Sequence, residues 1–597
     1  MRIAQSTTGS NGFAATVIWF ACMVLLGPAI LCAQDQSCAY GAWLSPANHN
    51  MSGFTSTPVP ATFNAVHVAL IPHGPYQGWV LAWDHGNGTV ATSQRWSLIN
   101  PSATNWPPTC MNYELAMPPG GGDLFCAGHA WTKEGLLMVV GGTSTWPDPA
   151  AGTGFLGENL TYLFDPALVV PPGPAPAGTM GPGDVPWVLQ LPMAQRRWYP
   201  TVTLMGVGNP PSADDNCMIV AGGTRGTVPG APLNDYEVFD STSRTWRTYV
   251  PSQSPRGPTF SVQSNTMDTY PRLFALSSGD ILMAGEQCES FRLKHLTTGP
   301  GPGSWTGPMG ISFNGQSDTQ RLYGSAFLLP GATDVVAILG GRLYNPGTEQ
   351  IDVNLPPPAP LQSAVDYATA SVQYCFASAA GPGLGPTGWN WATGPPMSYA
   401  RYHCNATICP DGSVIVTGGH TDTNTVTSNT GTPMTSTFVP ERYWQGLWTS
   451  MPPGISSRNY HATALLLADA SILVAGGEGR SHDYELLLPP YLTCGQARPT
   501  IISAPTQITY NTAYPLAFAN PGIKVRNAVL VRPGSVTHHT NYDQRHVDLA
   551  LNVLNNATGQ LAFVAPQTAN DAPRGWYMLF IVSTDGVPSV ASWVLLQ

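Results

Sequence analysis

Charged side chains are scarce in this sequence of 597 residues. They make up 10% of the chain, whereas about a quarter is usual in soluble proteins. Lysine is the scarcest of them, with only Lys133, Lys294 and Lys524. The formal net charge is −10, so no basic patch is available to neutralise phosphates. This composition excludes nucleic acid as a partner.

Long apolar runs are absent after the first 33 residues, which excludes a later membrane span. The early run, 13–31, follows Arg2 and precedes Ala33. It reads as a secretory signal, residues 1–33, cleaved near Ala33; a membrane anchor is the alternative. We expect a protein that is secreted, or periplasmic, and has no membrane contact after cleavage.

Glycine and proline are abundant, with 63 and 58 residues. Hydrophobic residues make up 43% of the chain, so it is not a disordered one. A short apolar strand that ends in two glycines recurs as LLMVVGG, CMIVAGG, VVAILGG, SVIVTGG and SILVAGG. With a degraded copy, DILMAGE, and a first one, GWVLAWDHG, there are about seven units, similar to kelch repeats. We predict an all-β protein: a seven-bladed kelch-type β-propeller over 34–494, then an immunoglobulin-like β-sandwich over 495–597.

One position recurs when the repeats are aligned on their glycine pairs. Counting back 15 residues from the first glycine gives Cys126, His403 and His461, and tyrosines precede the two histidines. In a propeller, equivalent positions form a ring about the axis. Imidazole and phenolate suit copper or iron, although aromatic side chains could also simply fill the channel. Adjacent strand residues point to opposite faces, so Tyr460 and His461 can share a metal only where the chain is still turning.

Five ordered motifs carry a resemblance to a known family. They are DLFCAG (123–128), RWYP (197–200), NYHATALLL (459–467), LLLPPYL (486–492) and GSVTHHTNYDQRHVDL (534–549). Together they span about 120–597 and resemble the copper radical oxidases, galactose oxidase and glyoxal oxidase. The resemblance implies one copper ion as the cofactor.

The resemblance also implies a role for each matching residue. Tyr199 would be a copper ligand joined by a thioether bond to Cys126, forming a self-processed radical cofactor. Tyr460 would be the axial ligand and the base. His461 would be a second ligand and His538 a third, with His539 as its adjacent alternative. Nine cysteines follow the signal; the thioether would use one and leave eight for up to four disulfides.

Other residues have two possible roles each. Trp246 would stack on the Tyr–Cys pair, or belong to the core of its repeat. Tyr402 is a neighbour of the ligands at most. His129 would orient a ligand or line a loop. The segment YPRLF, which contains Arg272, resembles glyoxal oxidase more than galactose oxidase; alternatively, Arg272 is a structural cation.

The implied reaction oxidises a primary alcohol, or a small aldehyde, with O2 and releases an aldehyde or carboxylic acid and H2O2. Copper takes up one electron and a tyrosyl radical the other. The sequence leaves the choice of substrate open, and we expect a monomer. The alternatives are a non-catalytic kelch propeller that binds glycan or protein, and a sialidase-type hydrolase, for which no suitable arginine cluster is present.

Overall fold

The computed structural model describes most of the chain after residue 40, in ranges separated by gaps. These ranges are 41–48, 64–84, 93–101, 109–117, 122–145, 155–169, 179–180, 186–208, 211, 214–225, 233, 235–247, 269–284, 289–294, 304–310, 320–344, 367–377, 390–421, 436–477, 483–519 and 522–597. The signal predicted at 1–33 therefore lies outside the described residues. Residues 37–597 belong to one compact unit.

Seven antiparallel sheets form the blades of a propeller, which confirms the predicted fold class. Each predicted glycine-pair strand is the second strand of its blade, counted from the axis. The blades are named I to VII in chain order.

The first four blades contain residues 67–310. The strands of blade I are His67–Leu70, Val80–Trp83, Ser93–Asn100 and Thr109–Ala116, with Thr179–Met180 beside the last. Those of blade II are Asp123–Trp131, Leu137–Thr145, Thr161–Phe164 and Trp187–Leu189, with Leu156–Gly157 paired to the second. Those of blade III are Thr201–Leu204, Met218–Ala221, Tyr236–Asp240 and Thr245–Arg247. Those of blade IV are Leu273–Ala275, Ile281–Met283, Glu289–Lys294 and Ser304–Gly310.

The last three blades contain residues 320–488, and the last of them also takes the strand Ala42–Asn48 from the start of the propeller sequence. The strands of blade V are Ser325–Leu328, Val335–Leu339, Val372–Phe376 and Asn390–Gly394, next to a small sheet of Gln320–Leu322, Arg342–Tyr344 and Tyr367–Ala368. Those of blade VI are Tyr402–Ile408, Val414–His420, Glu441–Trp444 and Leu447–Ser450. Those of blade VII are Ala462–Leu466, Ile472–Gly476, Asp483–Leu488 and, on its outer edge, Ala42–Asn48. Pairing Ala42–Asn48 with Asp483–Leu488 closes the ring.

A repeated arginine ties the blades to one another. The guanidinium of Arg458 is buried and donates to the first-glycine carbonyl of its own blade, Gly476, at 2.9 Å and to the Glu485 carboxylate at 3.0 Å. The Arg458 carbonyl accepts the N–H of Gly419, the second glycine of the preceding blade, at 2.6 Å. Arg197 and Arg401 repeat this arrangement with Gly222 and Glu237, and with Gly418 and Glu441. The glycine pair is therefore the contact point between neighbouring blades.

The C-terminal strands form a curled sheet of eight around their own apolar core, as predicted for an immunoglobulin-like domain. In sheet order these strands are Thr500–Ser503, Ala513–Ala519, Gln560–Val564, His546–Asn555, Val525–Val531, Gly575–Ser583, Ser592–Leu596 and Gln507–Ile508. Two short helices are described, the 3-10 turn Pro166–Leu168 and the helix Pro490–Thr493. Among the described residues no helix is long and apolar enough to cross a membrane.

One strand of the C-terminal part enters the propeller. Ser535–Thr537 adds to the free edge of the innermost strand of blade I, with Val536 opposite Val68. We call residues 535–540 the inserted segment. It brings His538 and His539 to the propeller axis, where both side chains are buried.

Candidate metal centre

Besides His538 and His539 of the inserted segment, six non-glycine residues around the axis have a left-handed backbone. Each lies at the start of the innermost strand of its blade or in a bulge there, so each breaks the alternation of a regular strand. A left-handed residue that is not glycine costs about 1–2 kcal/mol, and such strain concentrates at functional sites. We call these residues the axial ring: Cys126, Tyr199, Tyr270, Tyr323, His403 and His461.

The left-handed turn places adjacent side chains on the same side of the chain. His461 has φ 64°, and its ring stacks on that of the preceding Tyr460 at 3.8 Å. Tyr199 has φ 62° and stacks on the preceding Trp198 at 4.0 Å. The condition set by the sequence for a shared site, that the chain is still turning, is therefore met at both positions.

Four potential metal ligands meet at the axis. The hydroxyls of Tyr199 and Tyr460 are hydrogen-bonded to each other. The ring of His538 lies 4.7 Å from that of Tyr199 and 4.5 Å from that of His461. All four side chains are buried. They come from three places in the chain: blade III, blade VII and the inserted segment.

Cys126 borders this group of four. Its sulfur is 3.8 Å from Nε2 of His538, and its thiol is hydrogen-bonded to the Tyr199 side chain. The Tyr199 N–H also donates to the Cys126 carbonyl at 3.1 Å. The thiol and the phenol ring of Tyr199 are therefore held side by side between blades II and III.

Burial sets the protonation of the site. It raises the pKa of Tyr199 and of Cys126 well above their usual ranges, and it lowers the pKa of His538 well below its own. Without a cation the phenol and thiol are protonated and the imidazole is neutral. A bound divalent cation would reverse this preference at the phenols.

The donor types fit copper. Imidazole nitrogen and phenolate oxygen are ligands that suit Cu(II). Among the described residues, no group of three or more His, Cys, Asp or Glu side chains has the arrangement of a metal site. The set of Tyr199, Tyr460, His461 and His538 is of another kind, because half of its donors are tyrosine oxygens.

The tryptophan prediction is wrong. Trp246 lies on the outermost strand of blade III, where it packs against Phe239 and donates to the Leu191 carbonyl. Its role is that of a repeat core residue. Trp198 covers one face of Tyr199 instead, and Tyr270 stacks on that ring at 4.7 Å. Each blade's outer strand lies far along the sheet from the axis, which is why Trp246 cannot reach the site.

The sequence also marks Tyr402, His539 and Arg272 as candidates near the site. Tyr402 packs on His420 at 3.9 Å, and it is His403 that contacts Tyr460, at 4.6 Å between rings. The ring of His539 lies 5.2 Å from that of His403. Arg272 is buried and donates to the Gly324 carbonyl.

Sequence reasoning missed Tyr270 and His67. The Tyr270 hydroxyl donates to the Ala127 carbonyl at 3.1 Å and lies 3.4 Å from Nδ1 of His538. A signal for it existed, because Tyr-Pro precedes the inner strand at both 199–200 and 270–271. His67 accepts the N–H of Cys126 at 3.1 Å, and no repeat pattern marks it.

Four of the described cysteines are free thiols, against the expectation of up to four disulfides. They are Cys126, Cys375, Cys404 and Cys409. Cys38 and Cys288 lie outside the described residues. Burial raises the pKa of Cys375 to about 12 and that of Cys217 to about 11, so these two thiols are unreactive.

The fold and the site define a class: a seven-bladed propeller with tyrosine and histidine side chains converging at its axis. Residues 498–596 match the family described as "Galactose oxidase-like, Early set domain". Galactose oxidase of Gibberella zeae is 24% identical over 497 residues, which is 79% of this chain and 60% of that protein. Aldehyde oxidase GLOX of Vitis pseudoreticulata is 32% identical over 168 residues, covering 25% of this chain and 31% of that protein.

A solved structure supports the same fold. A fungal alcohol oxidase in complex with copper superposes with a TM-score of 0.68 at 22% identity, covering 94% of this chain and all of that one. The chain spans about 60% of the length of the galactose oxidase that it matches. The relatives and the solved structure are thus described as galactose, aldehyde and alcohol oxidases.

Proposed function

We propose that the protein is a secreted copper radical oxidase. It would oxidise a primary alcohol or a small aldehyde with O2, and release an aldehyde or carboxylic acid and H2O2. The observation that carries the proposal is the meeting of the Tyr199 and Tyr460 hydroxyls beside His461, His538 and the Cys126 thiol. The relatives add support, because they are described as a galactose oxidase, an aldehyde oxidase and an alcohol oxidase in complex with copper.

Tyr199, Tyr460, His461 and His538 would hold one copper ion. When bound, copper would exchange single electrons and acidify a coordinated alcohol oxygen. The imidazoles would bind through ring nitrogens, and the phenols would bind as phenolates. Because the donors come from three parts of the fold, the propeller and the inserted segment must both be in place.

Tyr460 would take the alcohol proton at its Oη, because this oxygen is hydrogen-bonded to the Oη of Tyr199 and so lies at the reacting centre. Tyr199, joined through a ring carbon to the sulfur of Cys126, would accept the carbon-bound hydrogen. Trp198 and Tyr270 cover the Tyr199 ring and would exclude water from it. This shielding protects a one-electron oxidised ring from side reactions.

The substrate class is supported only by the relatives, which are described as galactose, aldehyde and alcohol oxidases. We keep both a primary alcohol and a small aldehyde as candidates. Secretion through the signal at 1–33, a monomeric state and the domain limits 34–494 and 495–597 belong to the same proposal.

Copper analysis combined with a peroxide-coupled screen tests the proposal. We expect one copper per chain, and peroxide formation from a galactose, simple alcohol or glyoxal-type aldehyde panel. His538→Ala should lose most of the copper and the activity. His546→Ala, in the same C-terminal part and half-buried, is the matched control and should retain both. Failure of the unaltered protein to bind copper would contradict the proposal and favour a non-catalytic propeller.

A further inference from the structure

A chain of buried hydrogen bonds leads from Cys126 to the inserted segment. The Cys126 N–H meets Nε2 of His67 at 3.1 Å, and Nδ1 of His67 meets Nε2 of His129 at 3.1 Å. Nδ1 of His129 meets the Ser535 hydroxyl. The chain joins blade II to blade I and to the inserted segment, and its side chains are at most 7% exposed.

The proton positions along this chain follow from its first donor. A peptide N–H can only donate, so Nε2 of His67 is an acceptor and the proton of this neutral ring is on Nδ1. That proton faces Nε2 of His129, which places the His129 proton on Nδ1, toward Ser535. The Ser535 hydroxyl then donates to the His129 carbonyl at 3.4 Å. Every donor has one acceptor, and no alternative arrangement of neutral rings satisfies the Cys126 N–H.

The surroundings keep the two rings neutral and fixed. Burial lowers the pKa of His67 well below its ordinary value and that of His129 to about 3. The His67 ring stacks on Trp83 at 4.8 Å with an angle of 4°. Neither ring can turn without leaving a buried donor without an acceptor, which is costly.

We infer that His67, held by His129 and Ser535, positions Cys126 for its bond to Tyr199. Cys126 has φ 65°, a conformation that a cysteine rarely adopts, and the hydrogen bond to His67 holds its backbone there. This inference rests on the proposed function. It assigns His67 and His129 as positioning residues, because neither contacts the reacting sulfur or ring carbon.

The step that they serve is oxidative. The S–H bond of Cys126 and one ring C–H bond of Tyr199 break, and an S–C bond forms. Two protons and two electrons leave, and O2 accepts them as H2O2. Formation of this bond after copper addition is measurable without any substrate, as the loss of two hydrogen atoms from the joined Cys126 and Tyr199 peptides.

Two substitutions at one position separate positioning from space filling. Gln at position 67 can place an amide oxygen where Nε2 lies, whereas the shorter Asn places its amide near Nδ1 and cannot reach Cys126. His67→Asn should slow thioether formation about tenfold or more after Cu(II) is added to metal-free protein in air, since a buried N–H loses its acceptor. His67→Gln should restore most of the rate.

The control is His73→Asn, which removes a half-buried histidine that contacts the Gly135 carbonyl. It should form the thioether at the rate of the unaltered protein. Equal rates in His67→Asn, His67→Gln and the unaltered protein would overturn the inference and leave the proposed function standing. If the unaltered protein forms no thioether, the proposed function and the inference both fail.

Ser535→Ala tests the far end of the chain. It removes the acceptor of the His129 proton and should slow thioether formation severalfold while the variant still binds copper. A rate equal to that of the unaltered protein would overturn the roles given to His129 and Ser535.

Discussion

At the scale of residues, a left-handed backbone lets neighbours in the chain share one site. Tyr460 and His461 stack on each other, as do Trp198 and Tyr199. In a regular strand each pair would point to opposite faces. The strain of the axial ring is the structural cost of converging these side chains on the axis.

Residue patterns predicted the side chains that converge on the axis better than the neighbours of those side chains. The recurrence of Cys126, His403 and His461 before the glycine pairs marks three members of the axial ring. Trp198 could not be chosen over Trp246 from sequence, because its stacking depends on the positive φ of Tyr199. The odd number of cysteines is no argument for Cys126 in particular, since Cys375, Cys404 and Cys409 are free thiols as well.

Stacking on Tyr199 predicts that Trp198 matters for activity and Trp246 does not. Trp198→Ala should lower kcat/KM about tenfold, because an aromatic stack contributes about 1 kcal/mol or more beyond its buried area. Trp246→Ala should keep kcat/KM within about twofold and affect the melting temperature only. Initial rates from a peroxide-coupled assay, at matched copper content, measure both. Equal losses in the two variants would contradict the assignment.

At the scale of elements, the glycine pair is a joint between blades. A Cβ at Gly418 would lie 2.4 Å from the carbonyl oxygen of Arg458 in the next blade. This approach explains why the pair recurs, and a glycine pair after a strand is visible in sequence. The arginine that donates to it is less visible, because its partners, such as Glu441 for Arg401, are distant in the chain.

Two alanine substitutions separate this contact from backbone strain. Gly418 and Gly495 have similar φ, 64° and 71°, but nothing lies within 4 Å of a Cβ at Gly495. Gly495→Ala should cost about 1 kcal/mol from the left-handed backbone alone. Gly418→Ala should cost roughly 1–3 kcal/mol more, because the added methyl clashes with the Arg458 carbonyl. Denaturant unfolding of both variants measures the difference, and equal costs would contradict the joint.

At the scale of the whole molecule, the site exists only because two parts of the fold meet. Blades III and VII supply Tyr199, Tyr460 and His461, and the inserted segment supplies His538. The sequence marked His538 only through the family resemblance. No local pattern shows that Ser535–Thr537 pairs with the inner strand of blade I, since this register depends on contacts between residues more than 400 positions apart.

Buried neutral histidines predict acid sensitivity of the metal-free protein. Burial lowers the pKa values of His67, His129, His403, His538 and His539. Below the ordinary histidine pKa of 6.5, the unfolded chain binds protons that the folded protein excludes. The free energy of unfolding therefore decreases as the pH is lowered. Each such histidine contributes about 1.4 kcal/mol per pH unit.

Unfolding by denaturant at several pH values between about 6.5 and 4.5 measures this slope. His129→Asn should reduce it, since His129 stays neutral down to a pKa of about 3. A stability that is flat with pH in this window would contradict the neutral state of the buried histidines.

The most direct test of the copper radical oxidase assignment is peptide mass spectrometry of the unaltered protein after loading with Cu(II) in air. We expect a single joined species that contains the Cys126 and Tyr199 peptides and is lighter than their sum by two hydrogen atoms. We also expect metal-free protein kept without copper to yield the two peptides separately. Separate, unmodified peptides from the copper-loaded protein would contradict the proposed thioether and with it the proposed function.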